Sequence, residues 1–196
     1  MDPRTEKPKL CHLVTLDPLS TEFFTVQDKL FSSLGGMSRA IVLRIERVQN
    51  QPLWMEYCVQ KGRTNGSSPT RVEETDLWHG TSAEACQMIT LHGFNSHVTE
   101  HYAGGWQKGT TFARNAVYAT MNLCTPDYCG RKKIILAKVL MEQCVSASRI
   151  AKRESSHLEE GNPQRDTSID KVDPSLYVAC NGAEAYPVYL ISFKVL

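Results

Sequence analysis

Between Ser20 and Gly35 the apolar residues Phe23, Val26, Leu30, Phe31 and Leu34 recur at three- and four-residue steps, which places them on one stripe of a helix. Ser20 offers a capping hydroxyl at its start, and Gly35-Gly36 ends it. The period then changes. Ile41, Leu43 and Ile45 alternate with Val42, Arg44 and Glu46, which predicts a half-buried strand. Pro52 opens a second helix carrying Leu53, Trp54, Tyr57 and Cys58. The polar run from Lys61 to Pro69 contains two glycines and reads as the start of a flexible linker spanning 61–76.

Beyond it, Leu77 to His79 forms a short strand, and Ser82 to Leu91 a helix closed by His92-Gly93. Asn115 to Leu123 reads as another helix, and Ile134 to Leu140 as an apolar strand. Residues 146–170 read as a polar loop. Leu176 to Cys180 and Tyr189 to Val195 end the chain as strands, the last alternating Tyr189, Ile191, Phe193 and Val195. Strands and helices alternate without a regular βαβ rhythm, so the expected class is α+β. No Gly-x-Gly-x-x-Gly occurs, which leaves a Rossmann-type cofactor site unsupported.

Composition narrows the partners. The 196 residues suit one domain, expected over 11–196 after a frayed segment at 1–10. Basic and acidic side chains number 22 and 21, and the net charge of +1 gives no electrostatic reason to expect nucleic acid or an anionic membrane. Seven cysteines, an odd number at irregular spacing, argue against a disulfide framework and for a reducing compartment, cytosol or nucleus. His92, His97 and His101 with Cys124 and Cys129 fit no standard zinc spacing, so no metal is expected. The basic run Arg131-Lys132-Lys133 reads as an exposed loop face, Glu184 as a solvated loop charge. A monomer is expected.

The candidate chemistry begins at His79-Gly80-Thr81, a strand end followed by a helix start. A glycine there lets a planar ligand approach the main chain, whose N–H and C=O together match a primary carboxamide. A neighbouring imidazole can bond a sugar hydroxyl. Further pieces follow in order: His92-Gly93-Phe94-Asn95, then Lys108-Gly109-Thr110-Thr111-Phe112-Ala113, then Ala185-Tyr186-Pro187-Val188-Tyr189, with Arg44 to Asn50 upstream.

This ordered set resembles the catalytic domain of the poly(ADP-ribose) polymerase superfamily, most closely its mono-ADP-ribosylating subgroup with macrodomain-bearing members. The resemblance runs from about Cys11 to Val195. It implies two packed, mostly antiparallel sheets with flanking helices and NAD in the cleft between them. Gly80 would then pair with the nicotinamide carboxamide, His79 would hold a ribose and Thr81 would support the turn. Nicotinamide would leave, and a side chain of an acceptor protein, or of the chain itself, would attack the ribose carbon.

Four positions depart from the pattern. Leu176 stands where polymerising members carry glutamate, which implies transfer of single units. Thr111 and Cys124 stand where tyrosines line the nicotinamide, and Ala119 replaces a serine that bonds the carboxamide. Tyr118 or Tyr128 would approach the site only if the helix register slips, and Tyr118 is expected simply to pack. Two readings stay open: an NAD-dependent mono-ADP-ribosyltransferase, and a pseudoenzyme of the same fold acting as a binding or regulatory module.

Overall fold

A computed structural model describes residues 11–35, 40–67, 73–94, 109–141, 145–146, 176–179 and 181–196. The expected frayed segment 1–10, His97, His101 and most of the loop 146–170 lie outside them. In chain order the elements are strand β1 (Cys11–Thr15), helix α1 (Thr21–Ser33), β2 (Ala40–Asn50), α2 (Gln51–Ser67), β3 (Glu74–Gly80) and α3 (Ala83–His92). There follow β4 (Thr110–Ala113), a helical turn α4 (Ala116–Tyr118) continued as a π turn (Ala119–Leu123), β5 (Arg131–Leu140), β6 (Val145–Ser146), β7 (Leu176–Ala179) and β8 (Ala185–Val195).

The strands run in the order β1-β2-β8-β5-β3-β4-β7-β6, and every described pair is antiparallel. Among the described residues, five strands on one side and three on the other meet through a single residue pair, Trp78↔Ala113. The α+β class read from the sequence holds; the described strands form one continuous antiparallel sheet of eight, whose two parts are joined by that one pair.

Alternation along the central strands sorts side chains onto two cores. Trp78, Ile134, Leu136, Ile191 and Phe193 pack with Phe23, Val26 and Leu30 of α1 and with Leu34 at its C-cap. Leu77, Ile135, Ala137, Val139 and Leu190 pack on the opposite face with Cys86 and Ile89 of α3. The Ser20 hydroxyl accepts from Phe23 N–H at 3.1 Å, as its position implies. Gly35 follows α1 at φ +59°, a conformation that favours glycine.

The alternation read for β2 breaks at a bulge. Val42 pairs with Phe193 but Arg44 with Ser192, so Leu43 is the extra residue. Ile41 and Leu43 are therefore about half exposed, at 48% and 49%, whereas Ile45 is buried.

Helix α2 runs through 61–67, where the sequence reads as linker, and β3 begins at Glu74 within the same stretch. A carboxylate anchors this region. Glu74 accepts from Lys61 Nζ at 2.6 Å, Tyr57 Oη at 2.8 Å and Lys138 Nζ at 2.9 Å. Its burial would raise the carboxyl pKa, but the three donors carry it down to about 2. Glu74→Ala is expected to cost about 2 kcal/mol in chemical denaturation at pH 7, because the buried Tyr57 hydroxyl loses its acceptor. A folded pKa below the ordinary 4.5 means that this contribution is complete above pH 4.5 and is lost as the pH falls toward about 2. The variant should lack that acid-dependent part.

Candidate active site

The site is built where β3 outlives its pairing with β4. On one edge β3 stays with β5 through His79↔Ile135 and Gly80↔Ile134. On the other, pairing with β4 stops at Trp78↔Ala113. Continued in register, Gly80 would lie opposite Thr111, so the strands part between these two residues. Main-chain groups on a strand edge released in this way are free to meet a ligand.

One side chain bridges the parting. His79 Nδ1 lies 2.9 Å from the Thr111 carbonyl oxygen. A carbonyl only accepts, so Nδ1 carries the proton and Nε2 keeps its lone pair. The ring sits against Phe94 and Phe112, with centroids at 5.4 and 5.6 Å. Burial in this aromatic corner lowers the imidazole pKa to about 4 against the smaller raising effect of the Thr111 bond, so the ring is neutral at pH 7. Phe94 and Phe112 stand in the motif pieces of the sequence but carry no role there; the corner they form fixes the imidazole.

Gly80 serves a different end from the one its sequence suggests. A Cβ at this position would lie 2.4 Å from the Ala119 oxygen and 3.0 Å from Cys124 Sγ. The missing side chain thus makes room for the protein's own π turn, while on the Thr111 side no strand pairing of Gly80 is described. The turn is closed by Cys124 N–H donating to Ala119 O at 2.9 Å, a five-residue step that the helical pattern 115–123 does not reveal.

The structure therefore gathers His79, Gly80, Thr81, Thr111, Ala119 and Cys124 around one strand end. Thr81 is buried beside Ser82, whose hydroxyl caps α3 by accepting from Ala85 N–H at 3.1 Å. The Cys124 thiol donates to Lys133 O at 3.0 Å, and burial pushes its pKa up to about 12. It is a packed neutral thiol, not a nucleophile. Leu176 lies opposite Ala113, buried in the core on the α1 side. Tyr118 packs against that core and Tyr128 is 96% exposed; the atoms nearest the Cβ face of Gly80 belong to Ala119 and Cys124.

The reading of Glu184 is corrected. Its carboxylate is buried in a capping box, accepting from Asn181 N–H at 3.4 Å, because the short 3-10 turn before β8 needs its amino end satisfied.

Thr111 supplies the test of fit for a ligand. Its hydroxyl is buried with no hydrogen-bond partner among the described residues, an arrangement that costs stability unless a group beyond those residues completes it. With the neutral acceptor on His79 and the freed edge of Gly80, the donor and acceptor set suits an amide joined to a sugar. No aromatic ring is contributed by positions 111, 119 or 124.

Residues 20–195 match the poly(ADP-ribose) polymerase catalytic domain. The chain is 32% identical over 185 residues to the human protein mono-ADP-ribosyltransferase PARP14, covering 93% of this chain and 10% of that protein. It is 28% identical over 191 residues to mouse protein mono-ADP-ribosyltransferase PARP10, covering 96% of this chain and 20% of that protein. With mouse protein mono-ADP-ribosyltransferase PARP11 the identity is 28% over 185 residues, covering 83% and 56%. The chain thus spans from a tenth to just over half of the length of these relatives.

Proposed function

This chain belongs to the poly(ADP-ribose) polymerase catalytic domain family, and from that premise we propose that it binds NAD at His79-Gly80-Thr81 and transfers single ADP-ribose units to side chains of proteins, its own included. NAD supplies the activated bond between ribose and nicotinamide. The peptide of Gly80 orients the carboxamide, and His79 Nε2 accepts from a ribose hydroxyl. The Thr111 hydroxyl completes the polar rim. Holding the reacting groups in line and excluding water is the larger part of such catalysis. Leu176 has no carboxylate with which to activate a growing chain, which supports single transfers. The observation that carries the proposal is the His79–Thr111 bond across the parted strands, since it fixes the imidazole as a neutral acceptor beside a freed glycine edge.

The pseudoenzyme reading draws on the same place. The π turn closes one face of Gly80, and positions 111, 119 and 124 contribute no ring to it. Calorimetric titration with NAD, together with auto-modification by labelled NAD, separates the two. Saturable binding with transfer of single units supports the enzyme; no binding and no label overturn it.

The Thr111→Tyr, Cys124→Tyr double variant is expected to bind NAD about 10- to 100-fold more tightly, because aromatic stacking adds roughly 0.5–1.5 kcal/mol per ring beyond the area covered. Unchanged or weaker binding in a folded double variant would mean that the π turn leaves a ring no room.

A further inference from the structure

A concave site lies at the start of α3. Three strands meet there in one cross-strand row, Arg44↔Ser192↔Lys133. Lys133 and Ser192 lie two residues from Ile135 and Leu190, which belong to the α3-side core, so the row faces α3. Together with Ala83, Asp127 and Arg131 these residues line a cavity of about 380 Å³. None of His79, Gly80, Thr111, Ala119 and Cys124 lines it.

From this geometry we propose that the cavity binds a small, multiply charged phosphate compound, with Lys133 and Arg44 as its principal anchors. Four cations (Arg44, Arg131, Lys132 and Lys133) face two carboxylates, Glu46 and Asp127. Both carboxylates are already engaged, Glu46 with Arg44 at 3.4 Å and Asp127 with Arg131 at 3.6 Å. Lys132 is held by Thr120 O at 2.7 Å. Lys133 is half-buried and makes no side-chain hydrogen bond or ion pair with any described residue. A cation drawn partly out of water without a partner is stabilised by an oxyanion that donors can surround.

The Ser192 hydroxyl adds a donor within the same row, and the ten-residue helix α3 enters the cavity wall at Ala83, its start capped by Ser82 and its first turn carrying Glu84. The run Arg131-Lys132-Lys133 opens strand β5 with Lys132 and Lys133 half-buried, and is not the exposed loop face that its sequence suggests.

Size and charge favour a small ligand. The volume lies at the lower end of the range for small-molecule pockets, roughly 300–1,000 Å³. The cations are gathered in a pocket interrupted by two carboxylates, not laid out as a stripe along which a polymer tracks. With a net charge of +1 the chain carries no long-range field to draw a polyanion or a membrane.

The test titrates the whole chain with sodium pyrophosphate by calorimetry and by amide NMR. A single saturable site is expected, with shifts centred on residues 43–46, 83, 131–133 and 192 and an affinity that falls as salt is added. Lys133→Gln is expected to weaken binding about ten-fold or more. Arg44→Gln, at a more exposed position, serves as a second variant should the first fail to fold. His79→Gln, which alters the proposed NAD site alone, should leave pyrophosphate binding in place. The proposal is overturned by an absence of saturable binding, by shifts elsewhere, or by affinity indifferent to both Lys133 and Arg44. Binding to an RNA oligonucleotide or to phosphoinositide vesicles without binding to pyrophosphate overturns it equally.

Discussion

A Gly80→Ala chain is expected to lose about 3 kcal/mol of stability and, with it, binding of NAD. The added methyl would stand 2.4 Å from the Ala119 oxygen and 3.0 Å from both the Ala119 carbonyl carbon and Cys124 Sγ. Two of these three atoms are main chain, and the π turn that carries them is tied to Gly80 from behind, since Cys124 is bonded to Lys133 O of β5. Neither side yields cheaply, so strain and displacement add up to the upper part of the range for overpacked sites. For a domain of this size that cost is a fall of about 6–12 °C in the unfolding midpoint.

The matching control is Gly62→Ala. Gly62 lies inside α2, and a Cβ there meets nothing within 4 Å. The same substitution should there raise stability by about 0.5–1 kcal/mol through helix propensity. Equal effects at the two positions would refute the packing argument. A Gly80→Ala chain that folds normally yet fails to bind NAD would leave the ligand proposal standing and remove the strain.

How far the sequence discloses this arrangement differs from one element to another. Helix α1 is readable because its cap, its stripe and its closing glycine agree. Strand β8 is readable because it lies between two cores, so that Ile191 and Phe193 face one and Leu190 the other. Strand β2 misleads because a single inserted residue, Leu43, reverses the faces without altering the alternation of residue types. Strands β1 and β4, of five and four residues, are too short to show a period, and all four residues of β4 are buried.

The end of α2 has the composition of a linker, yet tertiary contacts hold it: Thr64 is buried and Lys61 reaches Glu74 on β3. At the candidate site the order of short motifs singles out residues that the structure sets around one strand end. What it leaves out is geometric. The Cβ-free face of Gly80 is used by the π turn, and the π turn depends on a hydrogen bond between Ala119 and Cys124 that no residue type announces.

Acidification from pH 7 to pH 4 is expected to remove about 3 kcal/mol of stability through His79 alone. Burial lowers its folded pKa from 6.5 to about 4, so the unfolded chain takes up the proton first. The native state is accordingly favoured to the full extent above pH 6.5, and the advantage fades as the pH falls toward 4; a shift of this size corresponds to about 1.4 kcal/mol per unit.

His79→Gln isolates this contribution. The amide can still donate to Thr111 O but does not titrate. Chemical denaturation of both proteins at pH 7, 5.5 and 4.5 should give curves that converge on acidification, the native chain losing close to one proton's worth of slope more than the variant between 6.5 and 4. The window of Glu74, from 4.5 to about 2, lies lower and is common to both proteins. Identical pH dependence in the two proteins would show that the imidazole is hydrated in the folded state. A second consequence reaches the ligand. An imidazole neutral down to about pH 4 keeps its Nε2 acceptor, so NAD affinity should stay level from pH 8 to pH 5, without the break near 6.5 that an exposed histidine imposes.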